Sequence, residues 1–114
     1  YGARSAAELY YAELFTSLAA QHANFTYVAA LSEPGGDDGW TGPRGFVHEL
    51  AEQHFDKRFE GHKAYLCGPP PMIDACITSL MQGRLFEQHI FMESFLTAAD
   101  GAEPPRRSAL FKKF

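Results

Sequence analysis

A chain of 114 residues with a net charge of −4 has room for one small domain, and it gives a nucleic-acid backbone no electrostatic reason to bind. With 46% apolar and 21% charged residues the balance is that of an ordinary globular fold, and no run approaches the roughly 18 apolar residues of a membrane helix. Two cysteines, Cys67 and Cys76, are too few for a disulfide framework or a four-cysteine iron–sulfur cluster. Neither they nor the five histidines show metal-ligand spacing, so no metal site is expected in this chain. The amino terminus lacks a signal-peptide pattern, and the sequence reads as cytoplasmic.

In chain order, Tyr1 to Arg4 reads as the end of a strand. Ser5 and Glu8 have the spacing of a capping box, which predicts a helix opening at Ser5. Tyr11, Leu14, Phe15 and Leu18 repeat at helical spacing and predict an amphipathic helix to about Ala20. Phe25 to Leu31 is an almost continuous apolar run with strand propensity, of the kind found where helices cover both faces of a parallel sheet. It ends in Ser32 and Glu33. A loop from Gly35 to Gly45, rich in glycine and aspartate and holding Trp40, leads to a helix with Phe46, Val47, Leu50 and Ala51 on its apolar face, ending near His54.

After a polar connection comes the most informative stretch, Lys63 to Met72. A short apolar run stops at Cys67-Gly68-Pro69-Pro70-Pro71-Met72, and a helix follows on Ile73, Ile77, Leu80 and Met81, closed by Gly83. Cys67 is therefore expected at the carboxyl end of a strand, the edge where open parallel sheets bind ligands. The helix start, with its partial positive charge and unpaired N–H groups, is expected to suit a negatively charged ligand. Cys76, well inside this helix, reads as a core residue. The last strand is His89 to Phe95, and a basic, proline-containing tail follows, read as a surface arm. Strands alternating with helices predict a parallel α/β sheet with helices on both faces, in a domain spanning 1–101 with a tail at 102–114.

The Cys67–Met72 turn resembles the C-G-P-x-x-M motif of ferredoxin reductase-like flavoenzymes, which pass hydride between a nicotinamide and a flavin. Two further stretches are similar to that family: Trp40-Thr41-Gly42-Pro43-Arg44-Gly45-Phe46-Val47, and the glutamate-x-aromatic of Glu93 and Phe95. The run from Tyr65 to Asp100 looks most like the reductase component of phenol hydroxylase-type bacterial monooxygenases. The resemblance implies that Cys67 sits against the nicotinamide ring, with Gly68, Pro69, Pro70 and Met72 under the dinucleotide. It places Glu93 near the reacting centre and Phe95 near the flavin, and makes Arg4 a candidate contact to the adenosine half. In NADP-using relatives an arginine follows the serine equivalent to Ser32. Here Glu33 stands in its place, and a carboxylate that accepts from a ribose hydroxyl and repels a phosphate favours NADH.

The family's G-G-x-G loop, its FAD signature and its four-cysteine cluster are not among these residues. The chain is accordingly read as the C-terminal piece of a longer protein, cut inside its nicotinamide-binding domain and inactive alone. In the parent, FAD-binding and ferredoxin-like domains would hold FAD and a [2Fe-2S] centre, and a diiron hydroxylase would receive the electrons. The alternatives are a cytochrome or flavin reductase of the same superfamily, or a nucleotide-binding module without redox work.

Overall fold

A computed structural model describes residues 1–33, 35, 39–95 and 107–112. Pro34, residues 36–38 of the glycine-rich loop, the expected domain boundary at 101–102 and most of the tail lie outside the described residues. The chain divides into two compact units, Tyr1–Leu50 and Ala51–Phe114.

The first unit is a strand–helix–strand unit. β1 (Gly2–Ala3) runs parallel to β2 (Ala30–Leu31), with α1 (Ala12–Gln21) between them in sequence. The pairing extends past the named strands: Ala30 N–H donates to Tyr1 C=O (2.9 Å), Ser32 N–H to Ala3 C=O (3.0 Å) and Glu33 N–H to Arg4 C=O (2.9 Å). On the other side of β2, Leu31 N–H donates to Pro43 C=O (3.2 Å) and Gly45 N–H to Leu31 C=O (2.9 Å), so Leu31 is fully buried between two segments. The predicted strand is thereby shortened. Of the earlier part of that run, Val28 C=O joins the same ladder by accepting from the Tyr1 amino terminus (2.9 Å), while Phe25 and Tyr27 set their rings 6.4 and 5.3 Å from that of Phe15.

Two helix expectations change here. Ser5 makes no side-chain cap, and the turn it opens is a short 3₁₀ segment, Ala6–Glu8. The Glu8 carboxylate turns back one residue further than a capping box requires, accepting from Arg4 N–H (3.0 Å) and the Arg4 guanidinium (2.9 Å). These hydrogen bonds hold the Glu8 carboxyl below the usual carboxylate range. The helix proper starts only after Tyr11, which takes a left-handed conformation (φ 55°) and so leaves the helical phase. Phe15 and Leu18 are half-buried, while Tyr11 and Leu14 remain exposed.

The glycine-rich loop is organised by Trp40. Its indole N–H donates to Pro43 C=O (2.9 Å), and its ring lies where a Cβ on Gly42 would stand, which explains the tryptophan-x-glycine spacing. α2 (Val47–His54) begins with Phe46 N–H donating to the Glu49 carboxylate (2.9 Å).

The second unit repeats the plan with longer strands. β3 (Ala64–Gly68) and β4 (Ile90–Ser94) are parallel, joined through α3 (Pro70–Gln82). Side chains alternate across a sheet. Ala64 and Leu66 accordingly pack with Ile90 into the core formed by Phe59, Leu80 and Leu85, whereas Tyr65 and Phe91 stack 4.9 Å apart on the other face. Cys76 is buried on α3, as the sequence predicted, and burial pushes its thiol pKa up. Residues 107–112 were expected to form a surface arm but lie against this unit: Met92 N–H donates to Lys112 C=O (2.8 Å), and Phe111 packs on the core.

Gly83 does end α3, but for a different reason than predicted. Its φ of −85° is open to any residue, and the left-handed residue is Arg84 (φ 68°). Glycine is required because a Cβ there would meet the Phe59 ring and come within 2.8 Å of the Lys57 carbonyl oxygen. At Gly68 a Cβ would meet only the flexible tip of Met72. Gly83→Ala is therefore expected to destabilise the protein by about 2–3 kcal/mol and Gly68→Ala by about 1 kcal/mol. Urea unfolding of the two variants checks the order, and a larger loss at Gly68 would contradict it.

Candidate nucleotide-binding edge

The carboxyl ends of β3 and β4 bring four of the candidate residues together. Cys67 pairs in register with Glu93, and Gly68 with Ser94. Phe95 N–H extends the ladder by donating to Gly68 C=O (2.8 Å). Cys67 and Glu93 are both exposed and stand on the face opposite the core, on strands about 4.8 Å apart. The Phe95 ring is 57% exposed, so it is free to meet a planar group. Gly68 is buried, its missing side chain replaced by Met72, which ties the strand end closely to the start of α3.

The proline turn has a consequence for chemistry. Pro69 is extended (φ −67°, ψ 152°) at the N-cap, and Pro70 and Pro71 fill the first two helical positions. None of the three has an N–H, and that of Ile73 is already bonded to Pro69 C=O (3.1 Å). The expectation of several unpaired N–H groups for an anion is therefore corrected: Met72 is the first residue of the helix with an N–H to give. An exposed thiol, a carboxylate beside it and an apolar proline turn suit a neutral or cationic amide-bearing ring better than a phosphate.

Arg4, Ser32 and Glu33 form a second group, at the carboxyl end of β1 and β2 in the other unit. Glu33 is exposed and fixed through its backbone to Arg4. The Arg4 guanidinium is engaged by Glu8, and the nearby Glu33 charge, like that of Glu8, favours its protonated form. Arg44 donates to Trp40 C=O (3.1 Å) and so helps hold its own loop.

One group the motifs did not indicate is Arg107, whose guanidinium bonds both Asp74 on α3 and Ser94 at the end of β4. Its basic surroundings in sequence were noticeable, but their destination was not. A cleft of about 460 Å³ lined by His62, Lys63, Arg84 and His89 opens at the amino-terminal end of the same strands. It is at the wrong edge for the ligand of a parallel α/β unit. No helix among the described residues is long and apolar enough to cross a membrane.

Comparison with known proteins bears on what this edge is for. The family described as "Oxidoreductase NAD-binding domain" matches residues 1–78. Over 112 residues the chain is 66% identical to the reductase component DmpP of phenol 2-monooxygenase from Pseudomonas sp. strain CF600, covering 98% of this chain and 32% of that protein. It is 58% identical to the phenol hydroxylase P5 protein of Acinetobacter pittii strain PHEA-2, covering 97% of this chain and 31% of that one. Among solved structures, Amycolatopsis cytochrome P-450 reductase GcoB matches with a TM-score of 0.73 at 29% identity, over 82% of this chain and 27% of that one. The chain thus spans about a third of the length of the curated relatives named here.

Proposed function

From the premise that the chain belongs to the oxidoreductase NAD-binding domain family, we propose that it is the nicotinamide-binding part of a cytoplasmic, NADH-dependent flavoprotein reductase serving a phenol or related aromatic hydroxylase. The observation that carries this reading is the register pair of Cys67 and Glu93 at a carboxyl edge whose adjoining turn has no N–H before Met72. Its similarity to the reductase component of a phenol 2-monooxygenase and to a phenol hydroxylase P5 protein supports the choice of acceptor.

NADH, when bound, supplies the hydride that reduces FAD. The chain's own residues place and shield it. Cys67 presents a small polarisable side chain to the ring edge, and the apolar turn of Pro69, Pro70 and Met72 excludes water beneath it. Glu93 sets a negative charge beside the ring, favouring the positive charge that develops as hydride leaves. Phe95 covers the flavin side. Ser32 and Glu33 hold the adenosine ribose, with Arg4 alongside. FAD and the [2Fe-2S] centre would, in this reading, be held by other domains of the parent chain and would supply electrons to a diiron hydroxylase.

The test is reconstitution of the full-length protein with NADH, phenol and the hydroxylase component. Phenol-dependent NADH consumption with a hydroxylated product is expected. NADH oxidation with artificial acceptors but no product would remove the hydroxylase partner. That outcome would favour the second reading, a reductase for another acceptor, which the likeness to GcoB supports.

A further inference from the structure

We propose that Arg107 is a positioning residue for the hydride-transfer site, acting as a clasp between the end of β4 and the first turns of α3; its effect on rate rests on the reading above, its geometry does not. The Arg107 Nη2 and Nε donate to one Asp74 carboxylate oxygen at 2.6 and 3.1 Å, and Nη1 donates to Ser94 Oγ at 3.0 Å. The Arg107 side chain is only 16% exposed, against 56% for Asp74.

Both partners adjoin the site. Ser94 is the register partner of Gly68 and lies between Glu93 and Phe95. Asp74 follows Met72 by two residues, and Met72 fills the space above Gly68. The clasp therefore joins the strand end that carries Glu93 and Phe95 to the helix start that carries the proline turn. Its far side is anchored separately, because Lys112 C=O accepts from Met92 N–H (2.8 Å) and Phe111 packs on the core. β4 is thus held between β3 on one edge and the C-terminal segment on the other.

A half-exposed ion pair returns only part of the entropy lost in ordering so long a side chain. What a planar, three-point guanidinium contributes is direction, which a lysine cannot reproduce. Holding reacting groups in place is where small displacements are expensive, since a misplacement of about 1 Å can slow a reaction about 100-fold.

The test compares Arg107→Ala and Arg107→Lys with the wild type in the full-length protein. Two quantities are read: hydrogen exchange at the Phe95 amide, which donates to Gly68, and the rate of flavin reduction at saturating NADH. In Arg107→Ala the amide is expected to exchange about tenfold faster. The reduction rate is expected to fall about tenfold with NADH affinity changed less than about twofold, and lysine to restore only part of it. A merely structural role would lower the amplitude of reduction, because less protein is folded, and leave the rate unchanged. Unchanged exchange, or an unchanged rate constant, overturns the proposal. Should Arg107→Ala not fold, Ser94→Ala removes one arm of the clasp alone, and the same two readouts decide. If the wild type is not reduced by NADH, the functional reading above fails, while Phe95 exchange still judges the clasp.

Discussion

Replacing Cys67 by alanine is expected to slow flavin reduction by NADH about 100-fold while changing NADH affinity less than about threefold. The thiol is one exposed group at the strand end, so its share of the contact area with a dinucleotide is small. Its place is what matters: Glu93 stands directly across on β4, and the following residue is locked by Met72 and by the Phe95 N–H. In the proposed function, removing the sulfur leaves the nicotinamide ring free to shift at the point where direction controls the reaction. Cys67→Ser, which keeps the volume nearly constant, is expected to retain more activity than alanine. Stopped-flow reduction with a parallel binding titration measures both quantities. Equal losses in rate and affinity would show that Cys67 only helps bind, and would remove its assigned role.

Exchanging Glu33 for arginine is expected to move the preference between NADH and NADPH by about 100-fold towards NADPH. Glu33 is exposed at the carboxyl end of β2, with its backbone fixed by the 2.9 Å bond to Arg4 C=O. In the proposed function a carboxylate there accepts from a ribose hydroxyl and repels a 2′-phosphate. Arg4 offers little compensation, since its guanidinium is already engaged by Glu8 at 2.9 Å. Arginine at position 33 reverses the sign beside Ser32. The measurement is the ratio of flavin reduction rates with the two coenzymes at subsaturating concentration. A ratio that stays at the wild-type value would show that the selectivity resides elsewhere.

The ferredoxin reductase-like α/β fold was legible in the sequence because its signals are local. The Cys67–Met72 turn, the apolar spacing of α3 and the short final strand each carry their own stop and start residues, and β3, α3 and β4 fall where those residues put them. The parts that failed depend on partners distant in sequence. Phe25 to Val28 has strand propensity, but a strand needs a neighbour, and among the described residues only Val28 C=O meets one, accepting from the Tyr1 amino terminus (2.9 Å). Ser5 and Glu8 have capping-box spacing, but Glu8 found a better donor pair in Arg4. Gly83 was placed correctly for the wrong reason, because the approach of Phe59 and of the Lys57 carbonyl cannot be seen in a helical pattern. Arg107 was visible only as part of a basic tail. Its contacts with Asp74 and Ser94 cross 33 and 13 residues, and no periodicity encodes them.

The site shows the same division. Cys67 and Glu93 could be named from motifs 26 residues apart in number, yet their facing positions follow from the parallel register of β3 and β4. The loss of N–H donors at the head of α3 was written in three prolines, and only the cap geometry shows how far it disarms the helix end towards anions.

NADH-driven flavin reduction by the full-length protein can be followed in an anaerobic titration with NADH, read by absorbance, with NADPH in parallel. Bleaching of flavin and iron–sulfur bands by NADH is expected, with NADPH far less effective. Absence of any flavin band, or a flavin that NADH leaves oxidised, would contradict it.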